Sequence, residues 1–192
     1  MKTWHRLPDE PELGAFDAFA RSIDIGKLDP GQFVRLIETM DMLGKAGTGV
    51  ELSALRTSTF IRIIEQASVT QLDALMAHAV LRPVVLAELF ERMGRHVKPG
   101  APDLVLHWRF TGGCEAGGYD RYQTVIENGQ CSSGIVQDRD PRATVTIVPT
   151  DFLKVATGNA SAPLLFLRGR VKVKGDIPCV ANFPNHFDLS SP

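Results

Sequence analysis

Apolar side chains in the first hundred positions recur every three or four residues, which is the spacing of one face of a helix. Asp29-Pro30 supplies a helix start signal before the second of these stripes. We therefore predict an all-helical extension over residues 1–98, whose apolar faces either cover a neighbouring sheet, build a small bundle or form a dimer face. The stripes lie at residues 13–23, 33–43, 52–67, 72–79 and 86–93.

The hydrophobic period changes to two after the segment of residues 98–102, which contains two prolines and a glycine. Leu104, Leu106, Trp108 and Phe110 alternate with polar or smaller residues, as in a half-buried strand. Asn128-Gly129 is a hairpin signal, because the tight mirror-image turn needs positive φ at both central positions. The predicted strands lie at residues 104–111, 122–126, 130–136, 143–148 and 170–174.

Short helices are predicted around the last strand. One begins at Pro149 and ends at Gly158, and a second begins at Ser161, a helix-capping residue. Asp176 caps a third helix after the strand, and Pro184 should end it soon after it begins. The fold class is therefore α+β: about five strands in a mainly antiparallel twisted sheet covered by helices, over residues 102–192, preceded by the helical extension.

Three motifs in order carry a family resemblance. An aspartate-proline pair leads into an alternating strand, a D-F-L segment is followed by a glycine, and an L-F-x-x-G-x-x-K-x-x-G-D run comes last. The matching residues are Asp140, Pro141, Val145, Ile147, Asp151, Phe152, Leu153, Gly158, Leu165, Phe166, Gly169, Lys172, Gly175 and Asp176. Over about residues 102–189 the chain resembles the sterol carrier protein type-two family. The resemblance implies a sheet flanked by helices around an apolar tunnel for fatty acyl chains, acyl-CoA esters or sterols.

Nine apolar residues form the predicted wall of that tunnel. Apolar stripes also fill ordinary protein cores, so packing is the competing interpretation. The leading hypothesis is a non-catalytic lipid carrier that sequesters a fatty acid, acyl-CoA or sterol-like molecule by burying its apolar surface. The wall consists of Trp108, Phe110, Phe152, Leu153, Phe166, Leu167, Ile177, Val180 and Phe183.

Composition and net charge limit the classes of molecule that the protein is expected to bind. The formal net charge is −1, which disfavours nucleic acid, and no apolar run is long enough to span a bilayer. The opening residues carry acids where a signal peptide needs an apolar core, so we expect a cytoplasmic protein. The three cysteines are far apart and the histidines scattered, and we predict neither a metal site nor a cofactor.

Two alternatives remain open. Because Pro184 shortens the helix that would close the tunnel, the chain is also compatible with an accessory or scaffold protein that forms a homodimer or recruits an enzyme. The third hypothesis is an enzyme that acts on a bound hydrophobic intermediate, with His107, Tyr122 or Cys131 as acid or base. His107 and Cys131 lie on neighbouring predicted strands, where a thiol–imidazole pair could act as nucleophile and base, although an ordinary strand surface is the competing interpretation. The basic positions Arg168, Arg170, Lys172 and Lys174 are typical of a solvated strand face, and would also suit an anionic head group or membrane surface.

Overall fold

The computed structural model describes residues 10–115 and 117–189. The expectation about the first nine residues therefore lies outside the described part of the chain. Within the described residues, eight α-helices and five strands follow one another in blocks, with five helices before the first strand. The helices are α1 (Glu10–Ser22), α2 (Pro30–Lys45), α3 (Thr57–Gln66), α4 (Val69–Ala77), α5 (Leu81–Arg95), α6 (Pro149–Ala156), α7 (Ala162–Leu167) and α8 (Ile177–Asn182). The strands are β1 (Leu104–Thr111), β2 (Tyr119–Glu127), β3 (Gln130–Gly134), β4 (Ala143–Ile147) and β5 (Val171–Gly175).

The strands form one sheet in the order β3-β2-β1-β4-β5. All neighbours are antiparallel except β1 and β4, which run parallel. Asn128 and Gly129 have positive φ and form the tight turn between β2 and β3, as the sequence predicts. The predicted α+β class, with a mainly antiparallel sheet behind N-terminal helices, is confirmed.

Local sequence signals fix several helix starts. The Asp29 side chain accepts a hydrogen bond from the Gln32 backbone N–H, and Gln32 bonds back to Asp29, which completes a capping box at α2. Ser68 and Gln71 make the same reciprocal pair at α4. These caps satisfy backbone donors that have no partner inside their helices.

One face of the sheet is covered by helices. The ring of Phe90 in α5 lies 6.3 Å from Trp108 and 6.2 Å from Phe110 in β1, and 5.2 Å from Phe152 in α6. Thr150 in α6 donates a 2.6 Å hydrogen bond to Asp73 in α4, which joins the first helices to the second half of the chain. The buried apolar residues form one continuous cluster across both halves. The division at residues 98–102 stays a prediction.

Several element boundaries differ from the predicted ones. The third helical stripe is divided into a 3-10 turn at Leu52–Ala54 and α3, because the chain is extended at Arg56, whose N–H donates to Asp17. Strand β3 ends at Gly134 rather than at residue 136. The last helix is short, as Pro184 predicts: α8 gives way to a 3-10 turn at Phe183–His186. None of the described helices has the length and hydropathy that a bilayer crossing requires.

Candidate ligand-binding groove

The centre of the covered sheet face is a packed aromatic cluster. Trp108 and Phe152 have ring centroids 5.0 Å apart, Phe110 and Phe152 lie 4.9 Å apart, and Phe183 is 5.2 Å from Trp108. All four side chains are buried. The indole N–H of Trp108 donates to the hydroxyl of Thr124 at 2.9 Å, so the only polar atom of this side chain is satisfied.

An interior pocket of about 30 Å³ adjoins this cluster. That volume has room for only about two water molecules, so the pocket as it stands does not hold an acyl chain. Trp108, Phe152 and Phe183 form one part of its wall, and the rest comes from β4, β5, α6, α7 and α8 together with Met93, Pro184 and Phe187.

A larger apolar groove opens beside the pocket, between α7, β5 and α8. Its volume is about 240 Å³, just below the range of about 300–1,000 Å³ that is typical of small-molecule sites. Ala162, Val171 and Val180 belong to the walls of both the groove and the interior pocket, so the two spaces are neighbours. The groove is lined by Ala162, Pro163, Phe166, Leu167, Val171, Val173, Ile177, Val180 and Ala181.

Three local features build the groove. The Ser161 hydroxyl accepts from the Leu164 N–H and starts α7, and the Asp176 carboxylate accepts from the Cys179 N–H at 2.9 Å and starts α8. Between these helices, strand periodicity turns Val171 and Val173 towards the groove.

An ion pair ties this region to α6. Arg170 Nε, just before β5, lies 2.9 Å from Oδ2 of Asp151, whose side chain is buried. Burial raises the pKa of Asp151 above its usual range, although Arg170 opposes that shift. The Arg170 guanidinium therefore stabilises the charged form of the Asp151 carboxylate, which burial has removed from water.

The structure divides the nine predicted wall residues into two groups. Trp108, Phe110, Phe152, Leu153 and Phe183 are buried in the core, while Phe166, Leu167, Ile177 and Val180 line the open groove. Of the buried group, Trp108, Phe152 and Phe183 also reach the interior pocket. Whether any of the nine binds a ligand stays a prediction. The sequence did not point to Ala162, Pro163 or Ala181 as groove residues, because small side chains and proline carry no apolar signal of their own.

The thiol–imidazole pair considered from the sequence does not form. His107 is paired with Gln123, and its Nε2 lies 2.9 Å from the Arg139 carbonyl oxygen on the face of the sheet away from the helices. Cys131 is paired with the buried Ile126 on the helix-covered face. Burial also raises the pKa of the Cys131 thiol to about 12, which keeps it protonated at neutral pH.

Within residues 10–115 and 117–189, no group of three or more His, Cys, Asp or Glu side chains is arranged to hold a metal ion. The groove and the pocket are lined almost wholly by carbon. Fold and groove thus define an α+β protein with an apolar recess at one edge of its sheet.

Comparison with known proteins shows a family similarity over part of the chain. Residues 114–188 match the model of the SCP-2 sterol transfer family. Sterol carrier protein 2 of Arabidopsis thaliana is 31% identical over 71 residues, which are 36% of this chain and 58% of that protein. The chain thus spans less than two thirds of this relative's length. The predicted resemblance to the sterol carrier protein type-two family is confirmed over the matched residues.

Solved structures give weaker likenesses. A stereoselective inverting sec-alkylsulfatase from a Pseudomonas species aligns with 96% of this chain and 33% of its own, at 13% identity and a TM-score of 0.47. Sterol carrier protein 2 like 2 from Aedes aegypti aligns with 54% of this chain and 93% of its own, at 18% identity and a TM-score of 0.40. At these scores the likenesses carry nothing further about this chain.

Proposed function

We propose that this protein is a lipid carrier that binds one acyl chain or a sterol-like molecule in the groove between α7, β5 and α8. The observation that carries the proposal is the continuous apolar wall shared by the groove and the interior pocket, at Ala162, Val171 and Val180. The match of residues 114–188 to the SCP-2 sterol transfer family supports it. The protein acts by sequestration and performs no chemistry on its ligand.

Binding requires α7 and α8 to move apart, because the interior pocket is too small for a chain. Both helices are six residues long, and α8 has no buried residue while α7 has only Leu165. Displacing these helices therefore exposes little of their own apolar surface to water. A bound ligand covers the apolar surface that is exposed. Gly158 and Gly169, on either side of α7, both have positive φ, a backbone conformation that glycine adopts without steric cost.

A chain-length series tests this mode of binding. Each buried methylene contributes about 0.8 kcal/mol, so affinity for saturated fatty acids should rise up to about fourfold per added carbon until the recess is filled. The measurement is displacement of fluorescent cis-parinaric acid, with native mass spectrometry to count bound molecules. Affinity that does not change with chain length would contradict burial of the chain.

A filling substitution locates the site. Ala162→Leu places three extra carbons where the groove meets the pocket, and overpacking of this kind costs about 1–3 kcal/mol, so affinity should fall at least about fivefold. The control is Ala87→Leu, an exposed helix position in a different groove, between α5 and β3. Equal affinity of the two variants would remove the groove as the binding site.

The packed aromatic cluster and the small pocket favour a second candidate function, an accessory or scaffold protein. In that case the sheet is a solid module, and the helices serve association with a second copy or an enzyme. Absence of any bound lipid, together with a homodimer in size-exclusion chromatography with light scattering, would support this candidate over the carrier.

A further inference from the structure

Large apolar side chains are exposed together at one edge of the molecule. Leu167 is 79% exposed, Leu164 52%, Ile177 45% and Phe166 39%. All four belong to α7 or α8, the two short helices beside the edge strand β5. Single exposed apolar residues are ordinary on protein surfaces, whereas a group of four in two adjoining helices indicates an interaction site.

Basic residues without acidic partners border the same edge. Arg168, Lys172 and Lys174 are exposed, and none of them forms an ion pair with any residue that the structure describes. Two carboxylates next to this strand are already occupied by arginines: Asp176 lies 2.7 Å from Arg142, and Asp151 is held by Arg170. This edge is therefore locally positive on a chain whose formal net charge is −1.

The geometry of an edge strand brings the two features together. Val171 and Val173 point to the groove, and Lys172 and Lys174 point to the opposite face of the sheet. Because β5 is the last strand on this side of the sheet among the residues that the structure describes, side chains from both of its faces reach a flat surface that approaches the edge. Lysine stems are long enough to bend towards such a surface while their ammonium groups stay in contact with anions.

We propose that this edge docks the protein on an anionic lipid bilayer. The docking surface consists of Leu164, Phe166, Leu167, Arg168, Lys172, Lys174 and Ile177. The apolar side chains of α7 and α8 enter the boundary between head groups and acyl chains, and the basic residues contact lipid phosphates. The combination of apolar and basic side chains favours a bilayer over nucleic acid, because nucleic acid is bound mainly through its phosphates and offers no apolar layer that exposed leucine and isoleucine side chains could enter.

Vesicle co-sedimentation of the full chain tests the docking surface. The protein should bind vesicles of phosphatidylcholine mixed with phosphatidylglycerol, and binding should weaken in about 0.5 M sodium chloride and with pure phosphatidylcholine. Each basic residue near an anionic surface contributes about fivefold, so the double variant Lys172→Glu, Lys174→Glu should bind at least about 25-fold more weakly.

The matched control is Arg35→Glu, Arg62→Glu, which changes the net charge equally at two exposed arginines of α2 and α3. Equal loss in both double variants would mean that total charge alone matters, and would overturn the proposal. Thermal unfolding of both variants should match that of the parent, because all four positions are exposed.

A second measurement reports insertion directly. In Leu167→Trp, the new indole should be quenched by brominated acyl chains beyond the quenching of the parent protein. No binding to either vesicle type, or binding without added quenching, contradicts the proposal. The proposal is also contradicted if the parent protein binds duplex DNA but not vesicles, and the double lysine variant loses the binding to DNA. The fatty-acid displacement assay without vesicles measures the groove separately, so failure of docking and failure of lipid binding are distinguished.

Discussion

At the scale of single residues, Asp17 is a buried charge with several partners. Its Oδ1 accepts the Arg56 N–H at 2.9 Å, and its Oδ2 lies 3.0 Å from Arg21 Nε. Burial raises the pKa of Asp17, but hydrogen bonds from Thr59 and Arg56 and the charge of Arg21 outweigh burial and hold the pKa below its ordinary value of 3.8. The carboxylate therefore connects α1 to the start of α3.

Replacing Asp17 by Asn should destabilise the protein at neutral pH and much less in acid. The unfolded state binds more protons than the folded state between the two pKa values, so the contribution of Asp17 is present above about 3.8 and lost as the pH falls through the folded pKa. Hydrogen bonds to a charged group contribute about 1.5–3 kcal/mol. Urea unfolding at neutral pH and in acid measures the difference, and a deficit that is independent of pH would refute the assignment.

Residue chemistry alone did not separate the predicted wall into its two groups. Phe152 and Phe166 are the same side chain in neighbouring short helices, yet one is buried in the core and the other is 39% exposed. A six-residue helix is less than two turns long, so its periodicity cannot tell a packed face from an open one. The hydrogen bond between Thr150 and Asp73 joins positions 77 residues apart, and no local pattern predicts such a contact.

At the scale of elements, longer patterns were better predictors. The alternation in β1 predicted which side chains turn inwards, and Leu104, Leu106, Trp108 and Phe110 are all buried. The turn at Asn128-Gly129 and the short C-terminal helix were also predicted correctly, because glycine and proline limit the backbone directly. What the strand pattern could not give is how closely each helix approaches the sheet.

Helix α5 approaches β3 so closely that only glycine fits at position 94. A Cβ there would lie 2.9 Å from the carbonyl oxygen of Cys131. Gly94→Ala should therefore destabilise the protein by about 1–3 kcal/mol, because the obstacle is backbone. The control Gly14→Ala, in α1 with nothing within 4 Å, should be neutral or stabilising by up to about 1 kcal/mol. Urea unfolding of both variants measures this, and equal stabilities would contradict the close approach.

At the scale of the whole molecule, the helical extension and the sheet share a core. Leu86, Leu89, Phe90 and Met93 of α5 are buried, and Phe90 contacts the aromatic cluster of the sheet. Without α5, the inner face of β1 and β2 would lose its cover and expose several aromatic rings to water. The boundary predicted at residues 98–102 follows a change of period, and α5 lies on its N-terminal side.

Fragments test how the chain divides. We expect residues 102–192 alone to lack a cooperative thermal transition and to bind the dye 1-anilinonaphthalene-8-sulfonate, because their main apolar face is uncovered. Residues 79–192, which add α5, should unfold with a clear transition at a lower temperature than the full chain. Near-ultraviolet circular dichroism follows the packing of Trp108. A sharp transition in the shorter fragment would instead support an independent domain.

The two rims of the sheet are shielded by different means. At the β3 edge, the backbone of α5 lies against Cys131, so this edge is blocked sterically. A steric block does not depend on the salt concentration. At the β5 edge, the positive charges of Lys172 and Lys174 repel the same strand of a second copy, and salt screens this repulsion. In concentrated, salty solutions the first place where two copies adhere strand to strand should therefore be β5, while the opposite rim stays inert.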